Sequence, residues 1–238
     1  MQGPGVGLRV SLALALAPAA DLIALVAILA SARFLLALAG MDVGTSFGGI
    51  GSSREMMIAA LAEPAMLMVG FTVALVAGST SLAEIARFVL GGGVGLEVSL
   101  ALALVALVMV TIAENGRVPV DNPATHLELT MVHEAMVLEY SGRHLALIEA
   151  ASMFKLVAYI STIACIFAPW GMATGTAPTA LALGLASYVI KLAGAGVLLA
   201  LFETSVAKMR VFLVAEFLGA ALMLALVATI LRLMTEGL

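Results

Sequence analysis

The sequence predicts an all-α, polytopic transmembrane helix bundle with one amphipathic cytoplasmic loop helix. Three observations predict it. Of the 238 residues, 63% are hydrophobic, where a soluble domain is about half apolar. Only 11% are charged, against about a quarter in a soluble domain. The apolar residues also fall in runs matching the roughly 20 residues that a helix needs to cross a bilayer. Together these exclude an ordinary water-soluble fold. The net charge of -4 and the lack of any basic run give no footing for nucleic acid.

The elements follow in order within a single membrane domain, 1–238. Residues 6–19 form a short first segment; Arg9 and the apolar run after it imitate a signal peptide, but Asp21 leads directly into another apolar helix. Full spans are expected at 21–39, 55–77, 94–113, 144–168, 178–202 and 211–233. Residues 40–53, rich in Gly and Ser, read as a tight packed loop. Ser52 or Ser53 would then cap the next helix, with Glu55 in its first turn facing the positive dipole end. Arg33 reads as a side chain that snorkels toward the inner face. Ser81 and Glu84 make a capping-box pattern that opens a short surface helix to about Leu90.

Loop cations set the orientation. Arg54, then Arg117 and Arg143, then Lys208 and Arg210 mark one side, while the alternate loops carry only Arg87. This places the polar stretch 114–143 in the cytoplasm. Within it, Asn122 and Pro123 suit the start of a helix over residues 123–140 that lies at a membrane surface or folds into the protein. Asp121 would serve as its dipole partner.

The stretch 114–143 concentrates Glu114, Arg117, Asp121, Glu128, Glu134, Glu139, Arg143 and two of the three histidines, with His144 directly after it. Charge beside a bilayer-embedded segment usually marks a path for ions, protons or substrate. Crowded carboxylates repel and share protons, which is what a relay needs; Arg117 can offset that repulsion through its fork. Glu63 lies mid-helix beside Pro64, which frees the Ala60 carbonyl. A carboxylate stripped of water there suits a proton carrier. Lys155 and Lys191 lie well inside their helices and need partners from other helices; Glu203 is one candidate, and Glu149, six residues before Lys155, is not. His126, His133 and His144 have no zinc-ligand spacing, and Cys165 stands alone in an apolar helix. No metal site or redox cofactor is therefore expected in this chain. The fourteen methionines read as adaptable packing, and Trp170 as an interfacial indole.

The polar stretch resembles the signature loop of respiratory complex I subunit 1. The resemblance rests on Ala113-Glu114, Arg117, Pro119, Asp121, Pro123, Glu128-Leu129 and Glu139-Tyr140-Ser141-Gly142. Within that family it is closer to the hydrogenase branch of formate hydrogenlyase subunit 4 and hydrogenase-4 component C. There it extends to ARFLLALAGMD, GTSFGGIGSSREMMIAALAEP, VAGST, FAPWG and ALFETSVAKMR.

The resemblance implies a subunit of a bacterial or archaeal cytoplasmic membrane complex, anchoring hydrogenase-like and iron–sulfur peripheral subunits beside antiporter-like membrane subunits. Nickel–iron and iron–sulfur centres would belong to those partners. The family pattern also implies a further membrane helix and an amphipathic segment ahead of this sequence's start, which in complex I help wall the quinone chamber. A quinone-interacting subunit of a complex I-like NADH dehydrogenase is thus an alternative. The expected proton route runs through Glu63, Glu114, Glu128 and Glu139, extended by Lys155, Lys191 and Glu203. Arg54, Arg117, Asp121 and Glu134 would act as charge partners. Two rivals remain: a stand-alone secondary transporter, which would show inverted repeats, and a passive anchor whose carboxylates only brace the docked arm.

Overall fold

The structure, a computed structural model, describes residues 21–91, 97–121, 132–138, 140–173, 177–207 and 211–236. Among the described residues it is helical with no strand: α1 (Leu22–Asp42), α2 (Ser46–Ala77), α3 (Leu82–Leu90), α4 (Val98–Glu114), α5 (His133–Val137), α6 (Gly142–Phe167), α7 (Pro178–Ser205) and α8 (Val211–Glu236). Five of them, α1, α2, α6, α7 and α8, are long and apolar enough to cross a membrane. The run expected over 94–113 forms the shorter α4, with 17 residues. The short segment 6–19 lies outside the described residues.

Helix α2 is the axis of the bundle, with α8, α1 and α4 packed around it. Lipid tails are as apolar as leucine, so helices in a bilayer associate through close packing rather than water exclusion. Small residues supply that closeness: Ala62 and Ala65 of α2, Ala103 and Ala106 of α4, and Ala221, Ala225 and Ala228 of α8 are fully buried. A hydroxyl pair, Thr72 and Thr229 at 2.8 Å, ties α2 to α8 inside this contact. Pro64 is accommodated without ending α2.

Residues 40–53 correct the expected loop. α1 runs on to Asp42, only residues 43–45 intervene, and α2 begins at Ser46, well ahead of the expected start at 55. Thr45, not Ser52 or Ser53, caps α2, its hydroxyl accepting from the Gly48 N–H at 3.2 Å. The glycines serve close approach between helices. A Cβ on Gly48 would fall 2.2 Å from the Gly40 carbonyl oxygen. Ser52 is fully buried and donates to the Ala37 carbonyl at 2.9 Å, locking the elbow.

α3 forms where the Ser81–Glu84 pattern places it, but Ser81 makes no side-chain cap; its carbonyl accepts from the Glu84 and Ile85 N–H groups. The same loop returns to the start of α1. Asp21 caps α1 through Ile23 N–H at 2.9 Å and Ala24 N–H at 3.2 Å, and the Thr80 hydroxyl donates to its other carboxylate oxygen.

The loop helix expected over 123–140 is also corrected. In the described part Val132 has a non-helical backbone and α5 spans only His133–Val137. Residues 122–131 and 139, which include Asn122, Pro123, His126, Glu128 and Glu139, lie outside the described residues. α5 folds into the protein rather than onto a surface. Ala135, Met136 and Val137 are buried, and Met136 meets Gly40 and Gly51 at the α1–α2 elbow.

Candidate functional site

Four helices bring charge together inside the apolar bundle. Arg33 projects from the middle of α1, seven residues before Gly40. Its side chain is 2% exposed, so it does not snorkel. Its Nε lies 2.9 Å from Glu55 Oε1 on α2. Its Nη2 lies 2.5 Å from Oε2 of Glu114, the last residue of α4. These are ion-pairing distances without aligned hydrogen bonds, and Nη1 has no acceptor among the described residues. From α6, Lys155 Nζ approaches the same Glu114 oxygen at 3.6 Å. One turn further along α6, the buried Tyr159 hydroxyl also engages Glu114. Glu63, two turns beyond Glu55 on α2, adds its field to Arg33, Glu114 and Tyr159.

Three of these assignments differ from the sequence expectation. Glu55 is no first-turn dipole partner: with α2 starting at Ser46 it lies over two turns inside the helix, where an unpaired carboxylate would be costly. Arg33 is its counter-charge. Tyr159 carries no sequence signal, since a lone tyrosine in an apolar run has no pattern. Arg33 did carry a signal, because a cation inside a membrane segment marks a functional site by default.

A polar cavity of about 200 Å³ opens beside the cluster. Glu55, Glu114, Asn115, Arg117, Asp121, His133, Glu134 and Lys155 line it. A larger cavity of about 810 Å³, mostly apolar but edged by Arg33, Tyr140 and His144, shares part of this lining. Glu55, His133, Ser152 and Lys155 face both spaces.

The remaining predicted residues distribute as follows. Asp121 is buried in the polar cavity wall, where Glu134 joins it; the helix start it was expected to face lies outside the described residues. Arg54 is half-buried on α2. Arg117 pairs loosely with Glu203 of α7 at 3.7 Å, both partly exposed. Lys191 finds carbonyl partners instead of a carboxylate: it donates to Ala168 O at 2.6 Å and to Trp170 O beyond the end of α6. Among the described residues no group of three or more His, Cys, Asp or Glu side chains could hold a metal ion.

Burial pushes the His133 imidazole below its usual proton affinity; the Glu55 carboxylate opposes that shift and the Lys155 ammonium adds to it. The folded protein therefore keeps His133 neutral where the unfolded chain, titrating near 6.5, takes up a proton. Stability from neutral His133 is fully present above about pH 6.5 and is lost as pH falls below it. Thermal midpoints of the protein and of His133→Gln, followed from about pH 8 to about pH 5, should differ most at the alkaline end and converge on acidification. A gap that widened on acidification would contradict this.

The family model for NADH dehydrogenase matches residues 6–234. The chain belongs to the complex I subunit 1 family. It is 34% identical over 190 residues to formate hydrogenlyase subunit 4 of Escherichia coli (strain K12), covering 80% of this chain and 61% of that protein. It is 34% identical over 194 residues to hydrogenase-4 component C of the same organism, covering 82% of this chain and 60% of that protein. The chain thus spans about three-fifths of the length of these relatives. The fold is shared with the membrane-bound sulfane sulfur reductase, an archaeal respiratory membrane complex. That match has a TM-score of 0.74 at 21% identity, covering 89% of this chain and 69% of that one.

Proposed function

We propose that this chain is the membrane-anchoring and proton-coupling subunit of a hydrogenase-4 or formate-hydrogenlyase-type oxidoreductase complex in a bacterial or archaeal cytoplasmic membrane. The carrying observation is the charge balance of the buried cluster. Two buried carboxylates, Glu55 and Glu114, pair with the cations Arg33 and Lys155, and the half-buried Glu63 lies two turns along α2 from Glu55. In a weakly screening interior an uncompensated charge is costly, and three carboxylates against two cations leave one negative charge that an added proton would offset. Such a proton can be released or reclaimed when a neighbouring charge moves. The adjoining polar cavity has room for the waters that would pass it on.

In this reading the redox groups belong to peripheral hydrogenase-like and iron–sulfur subunits docked on the cytoplasmic face, with antiporter-like subunits alongside in the membrane. Glu128 and Glu139 extend the route into the cytoplasmic loop, and Arg117 with Glu203 links it to α7. The test is proton translocation by the assembled complex in vesicles. Glu63→Gln, which breaks no described ion pair, and Glu114→Gln should each lower protons moved per turnover by about tenfold or more with subunits still assembled. Loss of assembly at unchanged coupling would leave only a passive anchor, and unchanged coupling in both variants would remove these residues from the route.

A further inference from the structure

His133 opens α5, and two glycines set where it sits. A Cβ on Gly51 would fall 2.9 Å from both the Val132 carbonyl oxygen and the Ala135 Cβ, and one on Gly40 would fall 3.1 Å from the Met136 Cβ. Only bare glycine lets α5 lie this close to α1 and α2. Gly51 and Glu55 are four residues apart and share one face of α2. The chain that rests on Gly51 at Val132 therefore brings the next side chain, His133, beside Glu55. The Glu55 charge accordingly acts on the imidazole more strongly than any other described charge.

Of the four side chains that face both cavities, three are committed elsewhere. Glu55 pairs with Arg33, Lys155 with Glu114, and the Ser152 hydroxyl donates to the Glu149 carbonyl at 2.8 Å. His133 is the fourth. An imidazole accepts at one ring nitrogen while it donates from the other, and it titrates within the physiological range. The charged groups around it come from every element packed against it: Glu55 of α2, Lys155 of α6, Glu134 of α5 and Asp121 from the stretch after α4. Burial and the Lys155 ammonium disfavour the imidazolium, while Glu55, Glu134 and Asp121 favour it. The charged ring is thus within reach but is not held.

We propose that His133 is the proton-transfer residue that carries protons from the polar cavity to the buried cluster of Glu55, Arg33 and Glu114. Its unprotonated ring nitrogen takes a proton from water in the cavity. The other ring nitrogen then releases its own proton to a Glu55 carboxylate oxygen. A turn of the ring, or exchange with cavity water, restores the starting tautomer. One proton enters and one leaves, with no change of oxidation state. The inference rests on the proton-coupling reading above and gives that cluster its inlet.

The test is the initial rate of proton translocation by the assembled complex in vesicles. His133→Gln, which fills the ring's place but cannot pass a proton, and His133→Ala should each slow it by about tenfold or more, with the subunits still assembled. Imidazole added to the His133→Ala complex should restore most of the lost rate, because the emptied ring site opens onto the polar cavity. The same imidazole should leave His133→Gln unchanged. A ring that only braced α5 would give no such rescue, since free imidazole cannot brace a helix. Full translocation in His133→Gln, or no restoration of an assembled His133→Ala complex, overturns the inference. Loss of assembly in His133→Gln overturns it too, since the ring would then be structural. Glu63→Gln and Glu114→Gln are measured in the same vesicles. Where they slow translocation and His133→Gln does not, this inference alone falls; where none of the three does, the proton-coupling reading falls with it.

Discussion

Arg33→Met should lower stability by roughly 3–5 kcal/mol, the cost of leaving buried charges without their partner. The Arg33 side chain is 2% exposed, and those of Glu55 and Glu114 are 8% and 6% exposed, so water cannot take its place. Glu55 would lose its only described counter-charge and Glu114 would keep only Lys155 at 3.6 Å. The thermal midpoint of the complex in detergent should fall by several degrees or more. The double variant Arg33→Met with Glu55→Gln should recover part of the loss, because one stranded carboxylate is neutralised. Arg33→Lys should fall between, since one ammonium cannot reach two carboxylates on different helices as a planar fork does. If Arg33→Met were no less stable than the parent, the buried cluster would not be holding α1, α2 and α4 together.

The spans were legible because a bilayer enforces long apolar runs, and α1, α2, α6, α7 and α8 each satisfy that rule on their own. Lys155 is legible because charge inside such a run stands out, and Glu114 because it opens the polar stretch 114–143. Their pairing across helices could be expected in kind, since neither has an i, i+4 partner, though the sequence does not say which residues meet. Arg33 and Glu55 were misread for one linked reason. The glycines of residues 40–53 imitate turn chemistry, so Glu55 fell at an apparent helix start and needed no partner. Once α2 is extended back to Ser46, Glu55 moves into the interior and demands a cation, and Arg33 is the cation that the antiparallel α1 presents. Tyr159 left no trace in the sequence, because its role depends wholly on which helix lies opposite.

That elbow makes Gly48 the tightest of the described glycines. Gly48→Ala would put a Cβ 2.2 Å from the Gly40 carbonyl oxygen and 3.1 Å from Thr45 Oγ1. The first contact is backbone, so no side chain can swing aside, and α1 must separate from α2. Overpacking of this kind costs about 1–3 kcal/mol and sometimes more, and the Thr45 cap is disturbed with it. The damage should also reach the charged cluster. Arg33 lies seven residues before Gly40 and Glu55 seven residues after Gly48, so both stand about two turns from the pinch on antiparallel helices. Opening the elbow pulls their ion pair apart. Gly49→Ala is the control: its Cβ would meet nothing within 4 Å, and exchanging a helical glycine for alanine should be neutral or stabilise by up to about 1 kcal/mol. Thermal midpoints of the two variants should therefore move in opposite directions, or only Gly48→Ala should move, and only Gly48→Ala should lose proton coupling. Equal effects at the two neighbouring glycines would mean that helix propensity, not the close approach of α1 and α2, governs this segment.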